Sequence, residues 1–330
     1  MNIKDLDLPV PYHETFDVHD TTKISKFMDC PRGYFFEYIM GYRPDEPNIH
    51  LVFGKAWHEG MEILMNDGLG DDALLKAAQA FQETYHKEIP PDALDVDRMQ
   101  KTVDNGIRAL ASYCKTYRSI DNFETLYTEV SGVAPLSLSM VIHFKVDTII
   151  KDQVGIWSLE HKTTGRNTQA NREKWQIMPQ PGTYTHALKC AFDPGLVQGT
   201  KINMAVIRSK DEEFMRLPVR LSNPQLQLWL WEMQHWVQQL RWNFEQLVKT
   251  TPDQPVMQAF PRNPVSCSKF GCSYPGLCEM WCNPVAKQGE VPLGYKVERW
   301  DPREREKDSK HKLSIDETGK GVITDNEPTA

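Results

Sequence analysis

Three runs of β-branched and alternating residues follow one another without an intervening helix, and this constrains the chain most. They are Thr125-Leu126-Tyr127-Thr128-Glu129-Val130, Ser139 to Ile150, and Gly155 to His161. Period-two alternation is the pattern of a strand with one face buried. Only Lys151-Asp152-Gln153 separates the second run from the third, so these two form an antiparallel hairpin.

Before the strands, Phe53 to Met65, about Ala73 to Lys87, and about Val96 to Tyr117 space apolar residues by three and four, with Gly, Asp and Pro-Pro breaks between them. Ser25 is placed to cap a turn reaching Cys30. Pro31 sits in the first turn of a helix over Arg32 to Met40 that Gly41 ends. After the hairpin come a helix near Gln176 to Cys190, a strand over Lys201 to Arg208, and a long helix opened by Asn223-Pro224. The long helix carries a core stripe of Leu226, Trp229, Met233, Trp236, Val237, Leu240 and Phe244. The chain therefore divides into an extended lead-in (1–20), a helical region (21–124), a core of strands and helices (125–259), a Cys-rich segment (260–284) and a polar tail (285–330) expected to be disordered.

At 330 residues there is room for a large core, and 9 Trp, 13 Phe and 11 Tyr exclude general disorder. No apolar run approaches the roughly 20 residues of a membrane span, and Met1-Asn2-Ile3-Lys4-Asp5 has no apolar signal core, so a cytoplasmic protein is expected. A net charge of −7 means that any anionic ligand is drawn by a local patch.

The hairpin carries Phe144-Lys145-Val146-Asp147 on one arm and Glu160-His161-Lys162-Thr163 on the other. With the turn centred near Gln153, Glu160 returns almost opposite Asp147, and Lys162, two residues on, shares the face of Glu160. Two hard carboxylates beside an ammonium suit Mg²⁺ or Mn²⁺ holding a phosphodiester. A solvated cross-strand charge cluster would look the same in sequence.

Here the chain resembles the PD-(D/E)XK nuclease superfamily, whose Asp and Glu-X-Lys signature Asp147, Glu160 and Lys162 match. Two more elements resemble its RecB-like branch, which includes CRISPR-associated adaptation nucleases and phage-borne relatives. Phe53-Gly54-Lys55-Ala56-Trp57-His58 is similar to the helix whose His completes the metal site, and Gln180-Pro181-Gly182-Thr183-Tyr184 matches the Gln-x3-Tyr motif. The resemblance implies an α/β, restriction-endonuclease-like mixed sheet flanked by helices, with an N-terminal helical insert. It also implies His58, Asp147 and Glu160 as metal ligands, Lys162 orienting the attacking water, and Gln180 and Tyr184 shaping the site. Glu129 is a further acidic candidate.

Seven cysteines form the second constellation. Cys30-Pro31-Arg32-Gly33-Tyr34 and the distant Cys267-x4-Cys272-x5-Cys278 offer four soft thiolates, enough for a [4Fe–4S] cluster or a tetrahedral Zn²⁺. They resemble the iron–sulfur clasp of the same branch, with Cys282 close enough to replace Cys278. Cys114 and Cys190 lie in helical patterns and read as small apolar residues.

Lys145, Lys151, Lys162, Arg166, Arg172 and Lys174 lie near the hairpin, with Arg32 and Lys55 beside the other motifs, as a patch for phosphates. Trp157 and Trp175 fit core packing better than base stacking. The expectation is a metal-dependent deoxyribonuclease, an exonuclease on single-stranded DNA or duplex ends in recombination, repair or phage DNA processing. Recombination or replication proteins are potential partners. The alternatives are a non-cleaving DNA-end-binding accessory protein and a site-selective endonuclease or nickase.

Overall fold

Asp20, and not Ser25, opens the first helix, α1 (Thr21–Asp29), because its carboxylate accepts from the Lys23 N–H at 2.7 Å. The computed structural model describes residues 3–91, 100–267 and 271–326. Pro31 starts α2 (Pro31–Tyr34), which widens into a π-helical turn over Phe35–Ile39 before Gly41, at φ 75°, ends it and β1 (Tyr42–Pro44) follows. The lead-in is less extended than its prolines suggest: Ile3–Asp5 and Glu14–Asp17 are 3₁₀ turns, and Ile3, Val10 and Phe16 are buried.

Asn48 caps α3 (Ile49–Asp67), followed by α4 (Asp71–His86) and by α5 (Val103–Tyr117), which Thr102 caps. Of the helix expected from Val96, residues 96–99 lie outside the described residues. Strands β2 (Glu124–Ser137), β3 (Met140–Lys151) and β4 (Ile156–Thr164) come next, as the alternation requires. Then follow α6 (Gln169–Glu173), α7 (Pro179–Ala191), β5 (Val197–Ile207) and β6 (Glu212–Val219), the last of which the sequence reading missed. The chain continues through α8 (Asn223–Leu247), β7 (Tyr295–Val297), β8 (His311–Ile315) and β9 (Gly321–Asp325).

These elements form two compact units that do not follow the linear segments expected from composition. One comprises Met1–Glu46, Ala134–Phe144 and Gln227–Arg305; the other comprises Pro47–Val133, Lys145–Leu226 and Glu306–Ala330.

In the second unit the strands belong to a seven-stranded mixed sheet of order β6-β5-β4-β3-β2-β8-β9. The β3–β4 hairpin is antiparallel as expected, with Thr148 opposite Leu159 and Lys151 opposite Ile156. The parallel β4–β5 pair is joined through α6 and α7. Phe53, Trp57 and Leu64 of α3, Phe81 of α4 and Leu110 and Tyr113 of α5 pack onto Ile150, Trp157, Leu159 and Ile207 of the sheet. Each such fully buried side chain stabilises the fold by about 1.5–3 kcal/mol. Gly106 allows α5 to approach α4, since a Cβ there would lie 2.2 Å from the Phe81 ring.

The polar tail is a correction. Residues 311–315 pair in parallel with Val130–Gly132 of β2 and antiparallel with residues 321–325, so β8 and β9 extend the sheet. Backbone hydrogen bonds and one buried side chain, Leu313, anchor a hairpin whose other residues are mostly polar or exposed, which is why composition suggested disorder.

Of the expected stripe of α8, Trp229, Met233, Val237, Leu240 and Phe244 are buried, whereas Leu226 and Trp236 are half-buried; the first unit also holds β1 paired antiparallel with β7. Arg32 ties its N-terminal and C-terminal stretches together. The guanidinium donates to the carbonyls of Phe260 (3.0 Å), Met257 (3.3 Å) and Trp281 (3.4 Å), and the Arg32 N–H donates to the Pro261 carbonyl.

Candidate active site

The β3–β4 register carries the site. The paired register ends with Thr148 opposite Leu159, so Asp147 and Glu160 are the residues just beyond it on the two strands, and the Asp147 charge acts on Glu160. Asp147 Oδ2 accepts from the His161 backbone N–H at 2.8 Å, which fixes the carboxylate beside the strand that bears Glu160. Lys162, two residues past Glu160, pairs with Glu160 Oε1. From α7, Gln180 Nε2 donates to the same Oε1 at 2.9 Å and to the Tyr184 hydroxyl at 2.7 Å; that hydroxyl donates to the Lys145 carbonyl at 2.7 Å. The Gln-x3-Tyr spacing thus puts both side chains on one helical face, where they connect β3 to β4.

His58, from α3, lies with Nδ1 3.2 Å from Asp147 Oδ1. Of the sequence-selected residues, His58 and Asp147 therefore form one pair, and Glu160, Lys162, Gln180 and Tyr184 form a connected set; the two adjoin where Asp147 accepts from the His161 N–H, next to Glu160. Glu129 pairs with Lys145 at 2.5 Å, and its backbone takes a positive φ of 51° within β2, uncommon for a residue with a Cβ.

Electrostatics divides the carboxylates. Burial raises the Asp147 pKa, but His58, His161 and Lys162 outweigh it, and the carboxyl is held well below the usual carboxylate range. For Glu160 burial and the Asp147 charge win over Lys162 and His58, so its pKa is raised. Burial and the Asp147 charge push Glu129 up to about 7 against the opposing Lys145. Burial lowers His58, yet the charge and hydrogen bond of Asp147 raise it overall.

Glu160 is 2% exposed, and its Oε2 is buried with no hydrogen-bond partner among the described residues. A buried carboxylate oxygen without a donor is costly, and it is the hard ligand that a divalent cation takes. The donor set of Asp147, Glu160 and His58 thus fits such an ion in chemistry. Among the described residues no group of three or more His, Cys, Asp or Glu is clustered closely enough to hold a metal by itself.

The sequence reading overlooked the support behind β4. His161 points away from Glu160 by strand alternation, and burial pushes its imidazole down to about 3. Its Nδ1 accepts from Asn203 Nδ2 at 2.9 Å, Asn203 Oδ1 accepts from Arg216 Nε at 3.3 Å, and Arg216 is forked onto Asp121. The Glu-His-Lys order signals that His161 faces the other layer, but its partners lie too far along the chain to be read from spacing.

The cysteines fall within the first unit. Ser266 Oγ and Asn263 Nδ2 each donate to the Asp29 carbonyl at 2.8 Å, which joins the stretch before Cys267 to the residue before Cys30. Burial pushes the Cys278 thiol up to about 11 against the opposing Arg32 charge, with Cys30, Cys272 and Cys267 adding to the rise. Cys282 is exposed, Cys114 is buried and Cys190 is half-buried, and all seven are free of disulfides.

The expected phosphate patch needs correcting at one position. Arg32 is 4% exposed and spends its guanidinium on backbone carbonyls, so it is a structural clamp and not a surface cation. Lys145 and Lys162 are already paired with carboxylates, and Lys55 is exposed. Trp157 and Trp175 are buried.

The PD-(D/E)XK nuclease superfamily matches residues 21–279 of this chain. The chain belongs to that superfamily, and its mixed sheet flanked by helices is the corresponding restriction-endonuclease-like fold. Membership implies metal-dependent phosphodiester hydrolysis. The solved crystal structure of SSO0001 covers 69% of this chain and 78% of its own at 13% identity, with a TM-score of 0.31, too low to carry an argument. No curated protein matches. Among the described residues no helix is long and apolar enough to cross a membrane.

Proposed function

We propose that this chain is a Mg²⁺- or Mn²⁺-dependent deoxyribonuclease of the RecB-like branch, an exonuclease on single-stranded DNA or duplex ends. The observation that carries the reading is Asp147 and Glu160 lying just beyond the end of the β3–β4 register, with Glu160 Oε2 buried and without a hydrogen-bond partner among the described residues. Asp147, Glu160 and His58 would hold the ion. Bound there, it supplies neutralisation of the phosphate charge and a lowered pKa for the attacking water. Lys162 orients that water and stabilises charge that develops on the phosphate. Gln180 occupies Glu160 Oε1 and leaves Oε2 as the oxygen without a donor, while the Tyr184 hydroxyl holds the Lys145 carbonyl two residues before Asp147. Work in recombination, repair or phage DNA processing accords with end-directed cleavage.

The test is cleavage of linear single-stranded, linear duplex and closed circular DNA with Mg²⁺ or Mn²⁺, comparing wild type with Glu160→Ala. Wild type should degrade the linear substrates and spare the circles, and Glu160→Ala should lose about 10²-fold or more. Opened circles would move the reading to an endonuclease or nickase, and equal activity in both proteins would refute the site. DNA binding without cleavage would favour the accessory-protein reading.

We further propose that Cys30, Cys267, Cys272 and Cys278 hold a structural [4Fe–4S] cluster, with Zn²⁺ as the competing ion for the same soft donors. Support comes from the Asp29 contacts that join the two cysteine segments and from the influence of Cys30, Cys272 and Cys267 on the Cys278 thiol. The purified protein should be brown; a colourless protein with stoichiometric zinc would refute the cluster.

A further inference from the structure

We propose that Lys174 is a phosphate-binding residue: together with Lys162 it flanks the Trp175 indole and takes the phosphate adjoining the one being cut. The inference rests on the nuclease reading above and adds a binding subsite to it. Lys162 Nζ lies 5.8 Å and Lys174 Nζ 5.1 Å from the centre of the same ring. The two ammonium groups are thus at most about 11 Å apart. Phosphate charges recur along one strand about every 3.4 Å of helix axis, so this span covers neighbouring phosphates.

The two cations differ in their commitments. Lys162 is paired with Glu160, whereas Lys174 is exposed and has no carboxylate partner among the described residues. Burial and the Lys162 charge both lower the pKa of Lys174, so the neighbouring ammonium is felt at this position. Trp175 is 7% exposed and packed with Ile202, Met204, Val206 and Val219. The ring is a fixed platform that holds a cation by its π-face without neutralising it, unlike a carboxylate. An ammonium kept in place, left unneutralised and set beside the lysine of the site is arranged to receive an anion.

The experiment measures binding of a fluorescein-labelled single-stranded oligonucleotide by anisotropy over a KCl series in Ca²⁺, with steady-state cleavage in Mg²⁺ run in parallel. The proteins are wild type, Lys174→Gln, Lys174→Arg and, as a control for general surface charge, Lys115→Gln on α5. Lys174→Gln should weaken binding roughly 5–10-fold at low salt and reduce the slope of log K against log[salt] by about 0.7. KM should rise in step while kcat stays within about twofold, because the contact is made equally in ground and transition states. Lys174→Arg should restore both. An unchanged affinity and slope in Lys174→Gln, or an equal loss in Lys115→Gln, would overturn the proposal. Wild-type binding without cleavage would refute the nuclease reading while the salt slope still judges Lys174; a wild type that does not bind would overturn both.

Discussion

Lys101 is 6% exposed, its ammonium has no hydrogen-bond partner among the described residues, and it rests 4.3 Å from the centre of the Phe53 ring. Burial pushes its pKa from 10.5 down to about 8, and that displacement corresponds to about 3 kcal/mol against folding at neutral pH. The unfolded chain binds this proton more tightly than the folded one. The penalty is therefore complete below pH 8, fades between 8 and 10.5, and is absent above. Lys101→Met keeps the apolar stem and removes the charge, at the cost of the cation–π contact, worth about 0.5–2 kcal/mol. Urea unfolding at pH 7 should show the variant about 1–3 kcal/mol more stable with the m-value unchanged. At pH 11 the gain should vanish. A variant less stable at pH 7, or a gain of equal size at both pH values, would refute the desolvation argument.

Two other substitutions probe the packing directly. His19 is 4% exposed with both ring nitrogens partnerless among the described residues, and burial pushes its pKa down to about 3, so the unfolded chain protonates first as the pH falls. Stability should fall between pH 6.5 and 3 with a contribution from this ring of at most about 1.4 kcal/mol per pH unit. His19→Leu should flatten that limb by one proton in urea unfolding at pH 7, 5.5 and 4. An unaltered slope would mean that the ring gains a proton without unfolding. Gly106→Ala should cost about 1–3 kcal/mol, since Phe81 has to move, despite the better helix propensity of alanine; a more stable variant in thermal unfolding would show that the α4–α5 contact yields.

What could be read from the sequence was local. Alternation along β3 and β4 and the short Lys151–Gln153 connection were enough to give the hairpin register that ends at Thr148 opposite Leu159, one residue short of Asp147 and Glu160, because register follows from turn length. The four-residue step from Gln180 to Tyr184 similarly implied a shared helical face. What escaped depends on distant partners. The β8–β9 hairpin owes its place to β2, and the His161–Asn203–Arg216–Asp121 chain joins three strands and the loop before β2, which no spacing rule connects. The meeting of Lys174 with Lys162 needs the fold of the segment between them. Arg32 looked like a surface cation because its sequence neighbours give no sign of the carbonyls that surround it.

The parallel pairing of β8 with β2 sets an order on biosynthesis. Val130 leaves the ribosome about 180 residues ahead of His311, its neighbour in the finished sheet. For that interval the outer border of β2 offers unsatisfied amide and carbonyl groups, the kind of border that recruits strands from other molecules. The emerging polypeptide therefore passes through a stage open to misassociation, and chaperones that shield such borders would raise the yield of correctly finished protein.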